Sequence, residues 1–193
     1  LYGETHIGVR KDSPGSGLCV SATGPKDMTS KILEKINLQV KETANSAKYY
    51  VGRRIPTISI KESFKVMFVA EMPTCPRKET EWDSTDNFFL TKSDLKFVKL
   101  LNKLDLDGSY ITDVVKTCSL ARRPTEEEVA RFKDILLEEI AIIQPKTIVS
   151  LGKSASDVLE SIGISNVCAW HPAYVERFDK WTEYEKQLKS LVS

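Results

Sequence analysis

The stretch PKTIVSLGKSA, residues 145–155, decides how this chain folds. Pro145 ends the helical pattern before it, because a proline cannot continue an α-helix. Thr147 to Leu151 is a short apolar run of the kind that suits a strand buried on both faces. Gly152 closes it, and a short helical pattern over 153–161 starts at once. A strand that passes through one glycine into a helix is a building block of a parallel α/β sheet.

The same alternation extends in both directions. Upstream, residues 125–143 place Val129, Phe132, Leu136, Ile140 and Ile143 on one helical face. Pro124 and Thr125-x-x-Glu128 mark that helix's start as a capping box. Before it come YITDVV (110–115), a helical pattern over 91–104 with Leu95, Val98 and Leu101 on one face, and KVMFVA (65–70). Downstream lie VCAW (167–170) and a last helical pattern over 179–192. Four strands alternating with helices predict a three-layer α/β/α sandwich around a central four-stranded parallel sheet. Residues 27–48 carry Ile32, Leu33, Ile36 and Val40 at helical spacing, and residues 1–25 are Gly, Ser and Pro-rich. Residues 1–64 are therefore expected as an N-terminal arm and helix packed on the core, and residues 65–193 as the domain built on the sheet.

Composition narrows the function classes. Of the 193 residues, 41% are hydrophobic and 28% charged, a globular balance. No apolar run approaches the roughly 20 residues of a membrane span. Net charge is only +1, so bulk charge does not drive nucleic-acid binding, and any DNA contact needs a local patch. Residues 1–64 hold 10 Lys and Arg against 6 Asp and Glu, and the remainder leans acidic. Cys19, Cys75, Cys118 and Cys168 form no CxxC pair, so no metal site follows from spacing. Cys168, in an apolar run, reads as a buried thiol, and the expected compartment is reducing and intracellular. The chain opens on Leu1, which fits a piece of a longer protein.

In a parallel sheet, ligands bind beyond the carboxyl ends of the strands. That rule gathers EMPTCP, KTCSLARRP, GKSA and HPAY around one crevice. His171, taken alone, is an ordinary core or surface histidine. Directly after a strand and beside Pro172, it becomes a hydrogen-bond donor to an oxygen that gains negative charge. Glu71 is either a solvated acid or a carboxylate facing the crevice. Asp113 lies within a buried run, where a carboxylate is costly unless it has a role or a partner such as Lys116. Arg122 and Arg123 read as a solvated pair or a phosphate clamp. Gly152, Lys153 and Ser154 open a helix, where phosphate is readily seated. Phe88 and Phe89 are core residues or a stacking surface for a flat ligand.

Together these loops resemble the uracil-DNA glycosylase superfamily, nearest its iron–sulfur, thermophile-type branch (family 4). The likeness runs from about Lys65 to Arg177. The family's GEAPG loop is similar to AEMPT (70–74), and its YITNVVKCRPPxNRxPTxEE to YITDVVKTCSLARRPTEEE (110–128). Its PKxIVxLGxxA matches PKTIVSLGKSA, and its HPSYLLR resembles HPAYVER (171–177).

The resemblance implies an enzyme that flips a base out of DNA and hydrolyses its N-glycosidic bond. It assigns His171 and Glu71 to catalysis. Met72, through its backbone N–H, Phe88 and Asp113 would bind the base. Lys116, Arg122, Arg123, Lys153, Ser154 and Arg177 would hold DNA phosphates. The implied partner is single- or double-stranded DNA, with no membrane. Three departures stand beside the match. Thr117 and Phe132 occupy cluster-cysteine positions, so no iron–sulfur cluster or other metal is expected. Met72, Thr74 and Cys75 replace small or acidic residues of the first loop. Asp113 replaces the base-reading asparagine, and an ionised carboxylate only accepts hydrogen bonds. The competing expectation is a catalytically degenerate DNA-binding module of a larger replication or repair protein, such as a viral or phage polymerase.

Overall fold

A computed structural model describes residues 25–45, 47–54, 66–74, 91–106, 108–118 and 123–192. The elements in chain order are α1 (Pro25–Ala44), β1 (Arg53–Arg54), β2 (Val66–Ala70), α2 (Lys92–Lys103), β3 (Tyr110–Asp113), α3 (Glu126–Ile143), β4 (Thr147–Leu151), α4 (Lys153–Ser161), β5 (Val167–Ala169), α5 (Pro172–Arg177) and α6 (Trp181–Val192). The sheet order is β1-β3-β2-β4-β5. The last four of these strands are mutually parallel, as the alternation predicts, while β1 is a two-residue antiparallel edge.

The strands alternate their side chains between two apolar layers. Val66, Phe68 and Ala70 of β2 face Phe97 and Leu101 of α2, Val175 of α5, and Tyr184 and Leu188 of α6. Met67 and Val69 face Ile36 and Val40 of α1, Phe132 and Leu136 of α3, and Leu159 of α4. The result is the predicted α/β/α sandwich.

Helix ends follow their local chemistry. Thr125 accepts from the Glu128 N–H, and the Glu128 carboxylate accepts from the Thr125 N–H, so the expected capping box is present. Thr91 and Asp94 build a second box at the start of α2.

Four local expectations need correcting. β5 is an edge strand, so Val167 and Cys168 are exposed and Cys168 is not a buried thiol. Leu95 is 50% exposed, because α2 buries the stripe through Phe97, Leu100 and Leu101 instead. HPAYVER is not a loop but the short helix α5, with Pro172 at the first position where proline is favoured. Cys118 is disulfide-bonded, against the expectation of a reducing compartment.

Candidate functional site

The four parallel strands end along one edge in the order β3, β2, β4, β5, and each delivers a polar residue there. Asp113 ends β3 opposite Ala70 of β2, and Glu71 follows one residue on. Backbone bonds from Val114 N–H to Ala70 O (2.8 Å) and Val115 N–H to Glu71 O (3.1 Å) continue the pairing past the strands. The Glu71 main chain is thereby held against its neighbour. The connection after β2 crosses to β3 on one side, and the chain then returns to β4 on the other. That makes the gap between β2 and β4 the topological switch point, where ligands enter sheets of this kind.

Across that gap the Ser154 hydroxyl donates to Glu71 Oε1 at 2.6 Å. Ser154 stands in the first turn of α4, which begins at Gly152. Gly152 has φ +97°, a left-handed value that suits glycine, and its N–H donates to Ala169 O at 2.7 Å. A Cβ on Gly152 would lie 3.4 Å from His171 Cβ, so the bare glycine lets the histidine sit close against the end of β4.

His171 caps α5. Its Nδ1 accepts from the Ala173 N–H at 3.2 Å. Burial pushes the imidazole pKa below its ordinary 6.5, against the opposing pull of Asp94 and Glu71. The ring is therefore neutral at pH 7. With Nδ1 accepting, its single N–H sits on Nε2 as a donor. Sequence reasoning missed Asp94. Its signal was Thr91-x-x-Asp94, a capping box that sets a carboxylate at the start of α2, where its charge reaches His171.

The remaining expected residues fall in different surroundings. Met72 is half-buried, with its side chain on the core layer of α1 and α3. Asp113 is 3% exposed. Arg123 is exposed just before α3, and Arg177 ends α5 with its guanidinium 5.5 Å from the Phe178 ring centroid. Lys153 is exposed and ion-paired with Asp157 one helical turn on. Phe88 and Arg122 lie outside the described residues.

Lys116 is not at the crevice surface and offers no charge to a phosphate. It is fully buried, its ammonium 2.5 Å from Glu139 Oε2, 2.8 Å from Asp113 O, and bonded to Thr112 Oγ1. Glu139 also accepts from Tyr110 and Thr112. Nor is Lys116 a partner for the Asp113 carboxylate among these bonds; it takes the Asp113 backbone oxygen.

Among the described residues, those at the resembled cluster positions do not fit a four-thiolate iron–sulfur cluster. Thr117 pairs its backbone with Tyr49, Phe132 is a fully buried core residue, and Cys118 is in a disulfide. Among the described residues no group of three or more His, Cys, Asp or Glu is placed to hold a metal ion. Among them, too, no helix is long and apolar enough to cross a membrane.

Fold and site together define a class: a parallel α/β/α sandwich with a neutral histidine and a hydrogen-bonded carboxylate at the sheet's carboxyl edge. The comparison with protein families is specific. The family model of the uracil DNA glycosylase superfamily matches residues 59–191, and the chain belongs to that superfamily. Its functional class is thus glycosylase-type processing of DNA bases. No curated protein matches the chain by sequence.

Proposed function

We propose that the chain is a DNA glycosylase domain that receives an extruded base in the crevice and hydrolyses its N-glycosidic bond. One observation carries the reading. His171 presents a neutral imidazole with its hydrogen on Nε2, at the end of β5, beside the switch point. A preorganised donor of this kind stabilises charge that develops on a departing base. As the C1′–N bond breaks, the electron pair passes to the base, and its carbonyl oxygen accepts from Nε2–H. Water supplies the oxygen that bonds to C1′, and its proton goes to the Glu71 carboxylate. Ser154, donating to Oε1, orients that carboxylate.

Phe88 and the Met72 backbone complete the base site in this scheme, and Asp113 reads the base edge. Arg122, Arg123, Lys153 and Arg177 take phosphates, with the start of α4 as a further anion seat. Within the superfamily, the likeness of HPAYVER and YITDVVKTCSLARRPTEEE to family 4 motifs supports a reading nearest that branch, without its cluster ligands. Asp113 favours a second reading. A buried acceptor where an amide is expected suits a base with an exocyclic amine, or a retired pocket in a DNA-binding module of a larger protein.

The test uses single- and double-stranded oligonucleotides carrying uracil, hydroxymethyluracil, hypoxanthine or mismatched cytosine, with alkaline cleavage of abasic sites. Product that disappears in His171→Ala is the expected result. Binding without product on every substrate would replace the enzyme with the binding module.

A further inference from the structure

Trp170, Tyr174 and Phe178 recur every four residues through the segment that carries His171. Tyr174 stands within α5, Trp170 just before its N-cap and Phe178 at its C-cap. The rings touch in sequence: Trp170 and Tyr174 have centroids 5.7 Å apart, Tyr174 and Phe178 4.7 Å. Trp170 is anchored, its side chain packed against the core and its backbone N–H donating to Gln187 Oε1 at 3.0 Å. The other two open to solvent, Tyr174 by 41% and Phe178 by 52%. Cations stand over the row. Lys180 Nζ lies 5.0 Å from the Trp170 centroid and 5.6 Å from Tyr174, and the Arg177 guanidinium lies 5.5 Å from Phe178. Glu176, the carboxylate within α5, is turned away to Lys92, Lys96 and Trp181.

Exposed aromatic faces flanked by cations are the two ingredients of single-strand binding: rings for bases, charge for the backbone. The rings stand too close together to sandwich a base between them, so a base lies on their outward faces. Only an unstacked base has a free face to offer, because in a duplex neighbouring pairs cover both sides. We propose that Trp170, Tyr174 and Phe178, with Lys180 and Arg177, form a stacking platform for single-stranded DNA leading into the crevice. Trp170 and His171 both follow the end of β5, so the platform adjoins the crevice edge. The inference rests on the reading of DNA as the ligand, and adds that the favoured strand is single or locally unpaired.

The test measures fluorescence anisotropy of a labelled oligothymidylate of about 12 nucleotides, within the site sizes of single-strand binders, and of a blunt duplex of equal length. The wild-type chain should favour the single strand. The pair Tyr174→Ala and Phe178→Ala should weaken that binding about tenfold or more, at one to three kcal/mol per stacked base. The pair Tyr174→Phe and Phe178→Trp should retain it, and Lys180→Gln should lower the salt dependence. Unchanged single-strand affinity in the alanine pair, equal loss in the aromatic pair, or a preference for the duplex would each overturn the platform. So would sedimentation showing that the alanine pair only dissociates a dimer while affinity per chain stays constant. Turnover measured in parallel separates the two proposals: the probe carries no target base, so an inactive chain whose binding still depends on these rings supports the platform and removes only the enzyme.

Discussion

Two charged clusters lie on either side of the β2 edge, built from the same kinds of side chain, and they behave as opposites. Behind β3, Lys116 and Glu139 are both fully buried, and Tyr110 and Thr112 add their hydroxyls to the carboxylate. At the crevice, Glu71 and Ser154 are half-buried beside a half-buried His171. The sealed cluster has its donors and acceptors turned on one another, so it holds structure. The open one keeps a donor, His171 Nε2–H, with no acceptor bonded to it among the described residues. Burial and mutual satisfaction, not charge, separate a structural polar cluster from a reactive one.

The largest effect should come from breaking the sealed cluster. Lys116→Met leaves the Glu139 carboxylate buried without its counter-charge, and such a loss costs about 3–5 kcal/mol. Urea titration should show a lowered midpoint and an unfolding free energy reduced by about that amount. Adding Glu139→Leu should recover only part of it, because Tyr110 and Thr112 then lose their acceptor. A Lys116→Met chain as stable as wild type would show the pair is not the strut described here.

The open cluster should give the converse result. His171→Ala should slow base release about 100- to 1,000-fold, the range for loss of one preorganised donor, while stability falls by only about 1 kcal/mol for the lost helix cap. The pH profile sharpens this. Burial lowers the His171 pKa below 6.5, so the neutral ring persists below that pH. Protonation at lower pH turns Nδ1 from acceptor into donor and breaks its bond from Ala173. The acid limb of kcat/KM should therefore lie below pH 6.5 and change in His171→Ala. An acid limb at or above 6.5 would contradict the half-buried, neutral ring.

How much of this the sequence carried differs between the same two regions. The open site was legible because strand ends can be read from apolar runs, and His171 and Glu71 each follow such a run directly. The sealed cluster was not. Lys116 looked like a basic loop residue beside Arg122 and Arg123, and only tertiary packing brings Glu139 of α3 onto it. Glu139 stands on the buried stripe of α3 with Phe132, Leu136 and Ile143, but its charge makes it read as a break in the apolar face. Edges misled in the same way. VCAW has the composition of a central strand, but its burial depends on having a neighbour, which no local pattern reports. β1 is two residues long and has no pattern to read. The row of Trp170, Tyr174 and Phe178 was present as a plain four-residue repeat, hidden because Pro172 and the short span made α5 read as a loop.

The smallest effect tests a third, surface cluster that falls between the two. Glu176 of α5 is reached by Lys96 at 2.7 Å and Lys92 at 3.2 Å from α2, and by Trp181 Nε1 at 2.8 Å from α6. These bonds, led by Lys96, hold its carboxyl well below the ordinary 4.5, at about 2. A depressed carboxylate contributes stability that is complete above its unfolded value and lost as pH falls through its folded value. The contribution should thus be full above pH 4.5 and fade toward pH 2. The partners are solvated, so it should be modest and weaken with salt. Glu176→Gln should be slightly less stable than wild type at pH 6, and the two should converge between pH 4.5 and 2. A gap that persists at pH 2 would mean Glu176 works through packing on Trp181 rather than charge. Because α5 also carries His171 at its cap, the substitution should leave the His171 acid limb in place if the open site is held by Gly152 and the strand ends, and shift it if α5 is held by Glu176.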